Sequence, residues 1–403
     1  MNVAISSLTG NAETLLPEMV ALRRAIHREP ELGLRTPKTA ARIREALSGL
    51  PLDWREGPST SGLIATLRGA REGRRVLLRG DMDALPMPED TGLEFASEVE
   101  GAMHACGHDG HVAMLVGAAK LLCAQRDSIA GEIMFMFQPG EEGWHGARFM
   151  IEDGLLDPLP EAAFALHVMP NGRHGIFTGR AGPLLASADQ LRIQVMGRGG
   201  HASMPHDGLD PIPIACEIVS AIQAYVTRQV PAFDPAVVTV ASIEAGTTYN
   251  VIPESARLLG TIRTLSPGTR SKVHAGLTKL AEGIAAAHGA SAEVEIEPGF
   301  PVTVCDARAV ALGRDAVGRL FGAEAWIELP APIMGAEDFS YVLEKVPGAM
   351  FFLGAAAEGS DWRSCCGLHS NRMVLDESVL ARGAAAHAAI AHTFLAEGFA
   401  EIQ

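Results

Sequence analysis

At 403 residues the chain exceeds the roughly 250–300 at which one hydrophobic core stops growing, so two domains are expected. A hydrophobic fraction of 47% with 20% charged residues is that of an ordinary globular protein, and a net charge of −15 argues against nucleic-acid binding, which needs a basic footprint. No uninterrupted apolar run approaches the ~18–20 residues of a membrane span.

Met1–Ser7 lacks the basic and apolar regions of a signal peptide. The cysteines at 106, 123, 216, 305, 365 and 366 are too sparse for a disulfide framework, and adjacent Cys365 and Cys366 do not easily bridge to each other. A reducing cytoplasm is the expected home.

Leu15 to Leu50 reads as helical, broken at Arg28-Glu29-Pro30 and restarting at Thr36-Pro37. Leu63–Leu67 and Arg75–Arg79 read as strands, the second running into Gly80-Asp81-Met82-Asp83. An apolar helix from His111 to Leu122 is followed by an apolar strand, Gly131–Phe137, that ends in Gln138-Pro139-Gly140-Glu141-Glu142. Ala162–Val168 is another buried-type strand. Strands that alternate with helices and end in polar residues fit an α/β sheet with its site at the strand ends.

Near Ala188 the pattern changes. Gln190–Gly197 alternates apolar and polar residues, Pro211–Arg228 is a helix, and Ala236–Ala245 and Arg257–Thr264 are strands. Ser266-Pro267-Gly268 caps a helix to about His288, and Ala292–Glu297 is a last strand. This β-α-β-β-α-β order is the ferredoxin-like arrangement. The first pattern then resumes, with a strand at Ala349–Leu353 and an Ala-rich helix over Glu377–Ala396. The expected organisation is one α/β domain assembled from residues 1–185 and 299–403, with a smaller domain, 186–298, inserted between them.

Met103 to His111 packs a thiol, three imidazoles and a carboxylate into nine residues. Cys106 and His108, two apart, can face one point, and thiolate, imidazole and carboxylate form the ligand set of Zn²⁺ and its first-row neighbours. His104 and His111 are read as support. Glu141 and Glu142 follow an apolar strand through Pro139-Gly140. Adjacent residues on a turn point to different sides, so one can bind a metal while the other reaches a bound water. Two like charges so close repel unless a cation lies between them. His167 ends an apolar strand, where an imidazole is costly to bury without a partner. Asp81 and Asp83, spaced i, i+2, face one side, where one could orient a ligand histidine. A Cys106 nucleophile activated by histidine is the competing chemistry, without a local signature of that type.

The blocks His-Ala-Cys-Gly-His-Asp (104–109), Gln-Pro-Gly-Glu-Glu (138–142), Leu-His-Val (166–168), Gly-Arg-Gly-Gly-His-Ala-Ser-Met-Pro-His (197–206), Asn-Val-Ile-Pro-Glu (250–254), Gly-Ala-Glu-Asp-Phe (335–339) and Leu-His-Ser (368–370) resemble the dinuclear-metal amidohydrolases. The branch is that of hippurate hydrolase, N-acyl-amino-acid hydrolases and the plant hydrolases of auxin conjugates. The resemblance spans roughly residues 20–395. It implies a metallopeptidase-like catalytic domain with a mixed sheet flanked by helices, and an inserted lid that mediates dimerisation. It further implies two divalent ions (Zn, Mn, Co or Ni) on Cys106, His108, Glu142, His167 and His369. Glu141 is then the general acid/base, and Asp83 the supporting carboxylate. Asp81 replaces a histidine ligand of the wider superfamily. His201 resembles the residue that reaches across the dimer to polarise the scissile carbonyl, and Asn250 and Arg263 fall where relatives bind the substrate carboxylate. One departure concerns the last ligand: Asn371 stands where the branch commonly has proline, preceded by Cys365-Cys366.

The activity implied is hydrolysis of the amide of a small N-acyl amino acid, with carboxypeptidase action on short peptides as the alternative. A silent metal-binding protein is disfavoured, because a structural site needs Glu142 but not the adjacent base.

Overall fold

The computed structural model describes residues 7–401. Met1–Ser7, expected to be free of a leader, lies outside these except for Ser7. The chain forms two compact units. The first comprises the described residues up to Leu184, with Val304–Ala331 and those from Asp338 onward; the second is Leu185–Thr303 with Pro332–Glu337.

The first unit opens with helices α1 (Leu8–Arg28) and α2 (Pro37–Ala46), the latter with proline at its start, where a fixed φ suits the helix and no N–H is missed. There follow β1 (Leu52–Glu56), β2 (Leu63–Arg68), β3 (Arg71–Asp81), α3 (His108–Ala124), β4 (Ala130–Gln138), α4 (Gly146–Glu152), β5 (Ala162–Met169) and β6 (Phe177–Gly179). The second unit contributes β7 (Asp189–Met196), α5 (Pro211–Gln229), β8 (Ala236–Ala245), β9 (Ser255–Thr264), α6 (Pro267–Ala287) and β10 (Ser291–Pro298). The first unit closes with α7 (Ala307–Phe321), β11 (Trp326–Glu328), α8 (Ser340–Leu343), β12 (Gly348–Gly354) and α9 (Val379–Glu397).

Eight strands of the first unit form a mixed sheet in the order β1-β2-β4-β3-β5-β12-β6-β11. Its centre, β4-β3-β5-β12, is parallel. These strands read as near-continuous apolar runs because both faces are covered, and Phe135, Phe137, Phe164 and Phe351 are fully buried. Helices α1, α3 and α9 pack on one another and α3 and α9 on the central strands. Small residues permit that approach: a Cβ at Gly117 would lie 2.3 Å from Met19 Sδ, and one at Gly383 1.9 Å from Met114 Sδ.

The second unit has an antiparallel sheet, β8-β9-β7-β10, whose order and two helices give the βαββαβ pattern. Leu191, Ile193 and Val195 of β7 point to one face, where they meet Ile214, Ile218 and Ile222 of α5 and Val273 and Leu277 of α6. Both helices start on a cap followed by proline. Asp210 accepts Ile212 N–H at 3.0 Å and Ser266 accepts Thr269 N–H at 3.1 Å. No helix among the described residues is long and apolar enough to cross a membrane.

Candidate metal centre

Because β4, β3 and β5 run parallel, their C-terminal ends lie on one edge of the sheet. Asp81 ends β3 opposite Gln138, which ends β4, and His167 lies near the end of β5. The helix expected to begin at His111 begins three residues earlier, at His108. Gly107 causes this. It takes the left-handed conformation, φ +86°, immediately before the helix, and a Cβ there would lie 2.4 Å from Val168 Cγ2. Cys106 and His108 thus flank a glycine that turns the chain sharply beside β5.

His108 Nδ1 donates to the Asp83 carbonyl at 2.8 Å, and His167 Nδ1 donates to the Val168 carbonyl at 2.7 Å. Each ring therefore keeps its Nε2 lone pair for another use, the arrangement typical of ligating histidines. His167 Nε2 lies 3.4 Å from Cys106 Sγ. On the other side, His369 Nε2 lies 3.3 Å from Glu142 Oε1, which is 4.0 Å from His108 Nε2. Donor atoms of Cys106, His108 and His167 fall within 4.8 Å of one another, and so do those of Cys106, Glu142 and His369. The two triads share Cys106.

This donor set fits divalent metal. His108 Nε2 and Glu142 Oε1 are buried and make no well-aligned hydrogen bond, a cost that a cation between them would remove. Burial pushes the His167 imidazole well below its usual range, which leaves it neutral, as a ligand must be. Burial likewise pushes the Cys106 thiol up, so a thiolate there calls for a cation. Thiolate, imidazole and carboxylate together suit Zn²⁺, Mn²⁺, Co²⁺ or Ni²⁺.

Asp83 organises the glutamate pair. Its two carboxylate oxygens accept the backbone N–H of Glu141 at 3.0 Å and of Glu142 at 3.1 Å. Gly140 makes the turn possible at φ +74°, where a Cβ would lie 2.6 Å from Leu34 Cδ2. Glu141 is buried, and its carboxylate joins His108 and Glu142 in a further group of close donors. The adjacent glutamates are thus held at one site, but only Glu142 belongs to a triad with Cys106.

His369 adopts φ +62°, a conformation costly for a residue with a Cβ, and its amide donates to the Ala105 carbonyl at 2.8 Å. That bond ties the last candidate ligand to the Cys106 loop. Asn371 accepts Asp90 N–H through its carbonyl at 2.8 Å. Cys365 and Cys366 are free thiols, the second exposed.

Several polar contacts around the centre escaped the sequence reading. Arg79, buried in β3, donates to Asp81 at 2.5 Å, to Gln138 at 2.9 Å and to Asp338 at 3.1 Å. Asp338 also accepts Gln138 Nε2 at 2.7 Å and Ala147 N–H at 2.9 Å, which anchors the segment after the glutamates. Behind His108, Asp109 accepts from Arg23 at 2.9 Å and from His27 at 2.7 Å. Burial alone would lower the His27 pKa, but the carboxylates of Asp109 and Glu89 push it up to about 9. The available signal was a cation, Arg79, in an apolar strand two residues before an aspartate on the same face.

Three expected site residues lie in the second unit. His201 pairs with Val251 in a short ladder, and Ala202 N–H donates to the Asn250 carbonyl at 3.1 Å, so His201 and Asn250 are neighbours. Ser203 N–H donates to His201 Nδ1 at 3.1 Å. The hydrogen of the neutral ring is therefore on Nε2, as a donor. Arg263 is half-buried on β9, away from this ladder and opposite Val237.

The description "Peptidase family M20/M25/M40" matches residues 77–393. Thermostable carboxypeptidase 1 of Saccharolobus solfataricus is 38% identical over 395 residues, covering 97% of this chain and 98% of that protein. N-acetyl-L-cysteine deacetylase of Bacillus subtilis is 38% identical, with 92% of this chain and 86% of that protein covered. IAA-amino acid hydrolase ILR1-like 2 of Arabidopsis thaliana is 39% identical, with coverage of 94% and 85%. The crystal structure of a dinuclear metal-binding peptidase of the M20 family from Bacillus subtilis superposes with a TM-score of 0.82 at 33% identity, covering 95% of this chain and 99% of that one. The resemblance carried by the motifs is borne out: the chain is a hydrolase of peptidase family M20/M25/M40.

Proposed function

We propose that this protein cleaves the amide bond of N-acyl-L-amino acids, with Glu141 as general acid/base. The observation that carries the reading is the pair of donor triads sharing Cys106, with Glu141 beside them but outside both. Two divalent ions would be held by Cys106, His108, His167, Glu142 and His369. Such a pair supplies Lewis acidity, polarising a carbonyl and lowering the pKa of a water toward ~7.

The chain's own groups do the rest. Glu141 takes the proton of the attacking water and passes one to the leaving amine. Asp83 keeps Glu141 and Glu142 in place through their amides. His201, its Nε2–H fixed as donor by Ser203, steadies the carbonyl oxygen as charge grows there. Arg263 would bind the substrate carboxylate through its planar fork, and Asn250, beside His201 and apart from Arg263, would reach that carboxylate together with His201 across the dimer. The inserted unit acts as lid and dimerisation surface of a cytoplasmic homodimer, so closure precedes turnover.

A carboxypeptidase on short peptides is the second reading, favoured by the carboxypeptidase relative matched over 97% of the chain. Both substrates present the same scissile amide next to a free carboxylate. The test is a panel of N-acyl amino acids and short peptides, read by mass spectrometry before and after chelation and metal re-addition. Chelator-sensitive release of free amino acid from acylated substrates is expected. Faster release from peptides would favour the second reading, and chelator-resistant release would reject both.

A further inference from the structure

His111 lies in the crowded cluster at the start of α3, yet in neither triad that contains Cys106. Its ring is fully buried and both nitrogens are engaged. A backbone amide can only donate, so Val168 N–H at 2.9 Å makes His111 Nε2 an acceptor. The ring hydrogen is therefore on Nδ1, which donates to Asp81 Oδ1 at 2.5 Å. The other oxygen of Asp81 accepts from Arg79 Nη1, also at 2.5 Å. No lone pair of His111 remains for a metal, although Asp81, His108 and His111 place donor atoms within 4.8 Å.

Val168 passes this order on. Its N–H is held by His111, while its carbonyl accepts His167 Nδ1–H at 2.7 Å. The His167 ring is thereby turned so that Nε2 faces Cys106 Sγ at 3.4 Å. The His111 and His167 rings also meet edge to face, with centroids 4.5 Å apart.

We infer that His111 is a positioning residue whose Nε2, made an acceptor by the Nδ1–H bond to Asp81, grips the Val168 backbone and so aims His167 at the metal position shared with Cys106. This rests on the metal-centre reading above, because aim matters only if His167 is a ligand. It also assigns Asp81 the part of fixing the His111 tautomer, one of its oxygens accepting from His111 and the other from Arg79.

Two substitutions separate the arms of His111. The asparagine amide overlies Nδ1 and can still reach Asp81; the glutamine amide overlies Nε2 and can still accept from Val168. Stripped full-length protein is titrated with Co²⁺, following stoichiometry and visible absorption. His111→Gln should keep the affinity for both ions within about threefold, and His111→Asn should weaken one of them by about 10–100-fold and shift the cobalt bands. Equal loss in both variants, no loss in either, or a larger loss in His111→Gln overturns the inference. Wild-type protein that takes up no cobalt rejects the metal reading itself and this inference with it. A measurement on the wild type guards against variants that do not fold: ¹⁵N–histidine spectra should show the His111 hydrogen on Nδ1, and a hydrogen on Nε2 would overturn the arrangement.

Discussion

Asp83 grips Glu141 by its backbone: one Asp83 carboxylate oxygen accepts Glu141 N–H at 3.0 Å while the other accepts Glu142 N–H at 3.1 Å. The position of the glutamate pair is thereby set from behind, through the backbone. Asp83→Ala should therefore lower kcat by about 10–100-fold, with metal affinity falling in parallel because Glu142 shifts too. Steady-state kinetics beside metal analysis checks this; a rise in KM alone would show that Asp83 acts on substrate binding instead.

Glu141→Gln keeps the shape of the loop and removes the base. Turnover should fall by about 10²–10⁴-fold with metal content near wild type. If the variant loses metal in proportion to activity, Glu141 is a ligand and the water is handled by another group.

His201→Ala removes a donor that the Ser203 amide holds in one tautomer. A loss in kcat of about 10²–10³-fold with KM changed little is the mark of a group that acts in the transition state. An increase in KM at constant kcat would assign His201 to ground-state binding.

The second unit carries its own acid-sensitive latch. Asp189, buried at the start of β7, accepts from His274 at 2.7 Å, from Arg270 Nε at 3.0 Å and from Gly299 N–H at 3.0 Å. Burial opposes its ionisation, but these donors outweigh it and bring the pKa down to about 2. Because the folded value lies below that of the unfolded chain, the stabilisation is complete above about pH 4 and is lost as pH falls through about 2. Hydrogen exchange over Asp189–Met196 should therefore be faster in Asp189→Asn than in wild type at pH 5. The gap should correspond to about 1–2 kcal/mol and close toward pH 2. A gap that persists unchanged at low pH would show that the ionised carboxylate is not its source.

Much of the centre was legible because its chemistry is local. Cys106 and His108 flank one glycine, Glu141 and Glu142 are adjacent, and apolar strands end at Asp81, at Gln138 and just past His167, where parallel topology puts active-site edges. The start of α3 was misplaced because a glycine between two candidate ligands reads as loop, whereas at φ +86° it is the residue before the helix. The pairing of Arg79 with Asp338 was not legible, since 259 positions separate them and only the fold brings guanidinium and carboxylate together. The positive φ of His369 gave no warning either: histidine visits that region more than most residues but too seldom to announce it, and the hydrogen bond from its amide to the Ala105 carbonyl holds it there. In the second unit, alternating strands and proline-led, capped helices made the βαββαβ order readable, because each signal lies within one turn or one strand.

The sharing of Cys106 by two donor triads is tested most directly by metal stoichiometry in stripped and reloaded protein, wild type against Cys106→Ser. The account predicts two ions per wild-type chain, activity that returns with metal, and weakened binding of both ions in the variant, because both triads lose a donor. Metal uptake unchanged by the substitution, with activity indifferent to chelator but abolished by alkylation of Cys106, would contradict it and make the thiol the nucleophile.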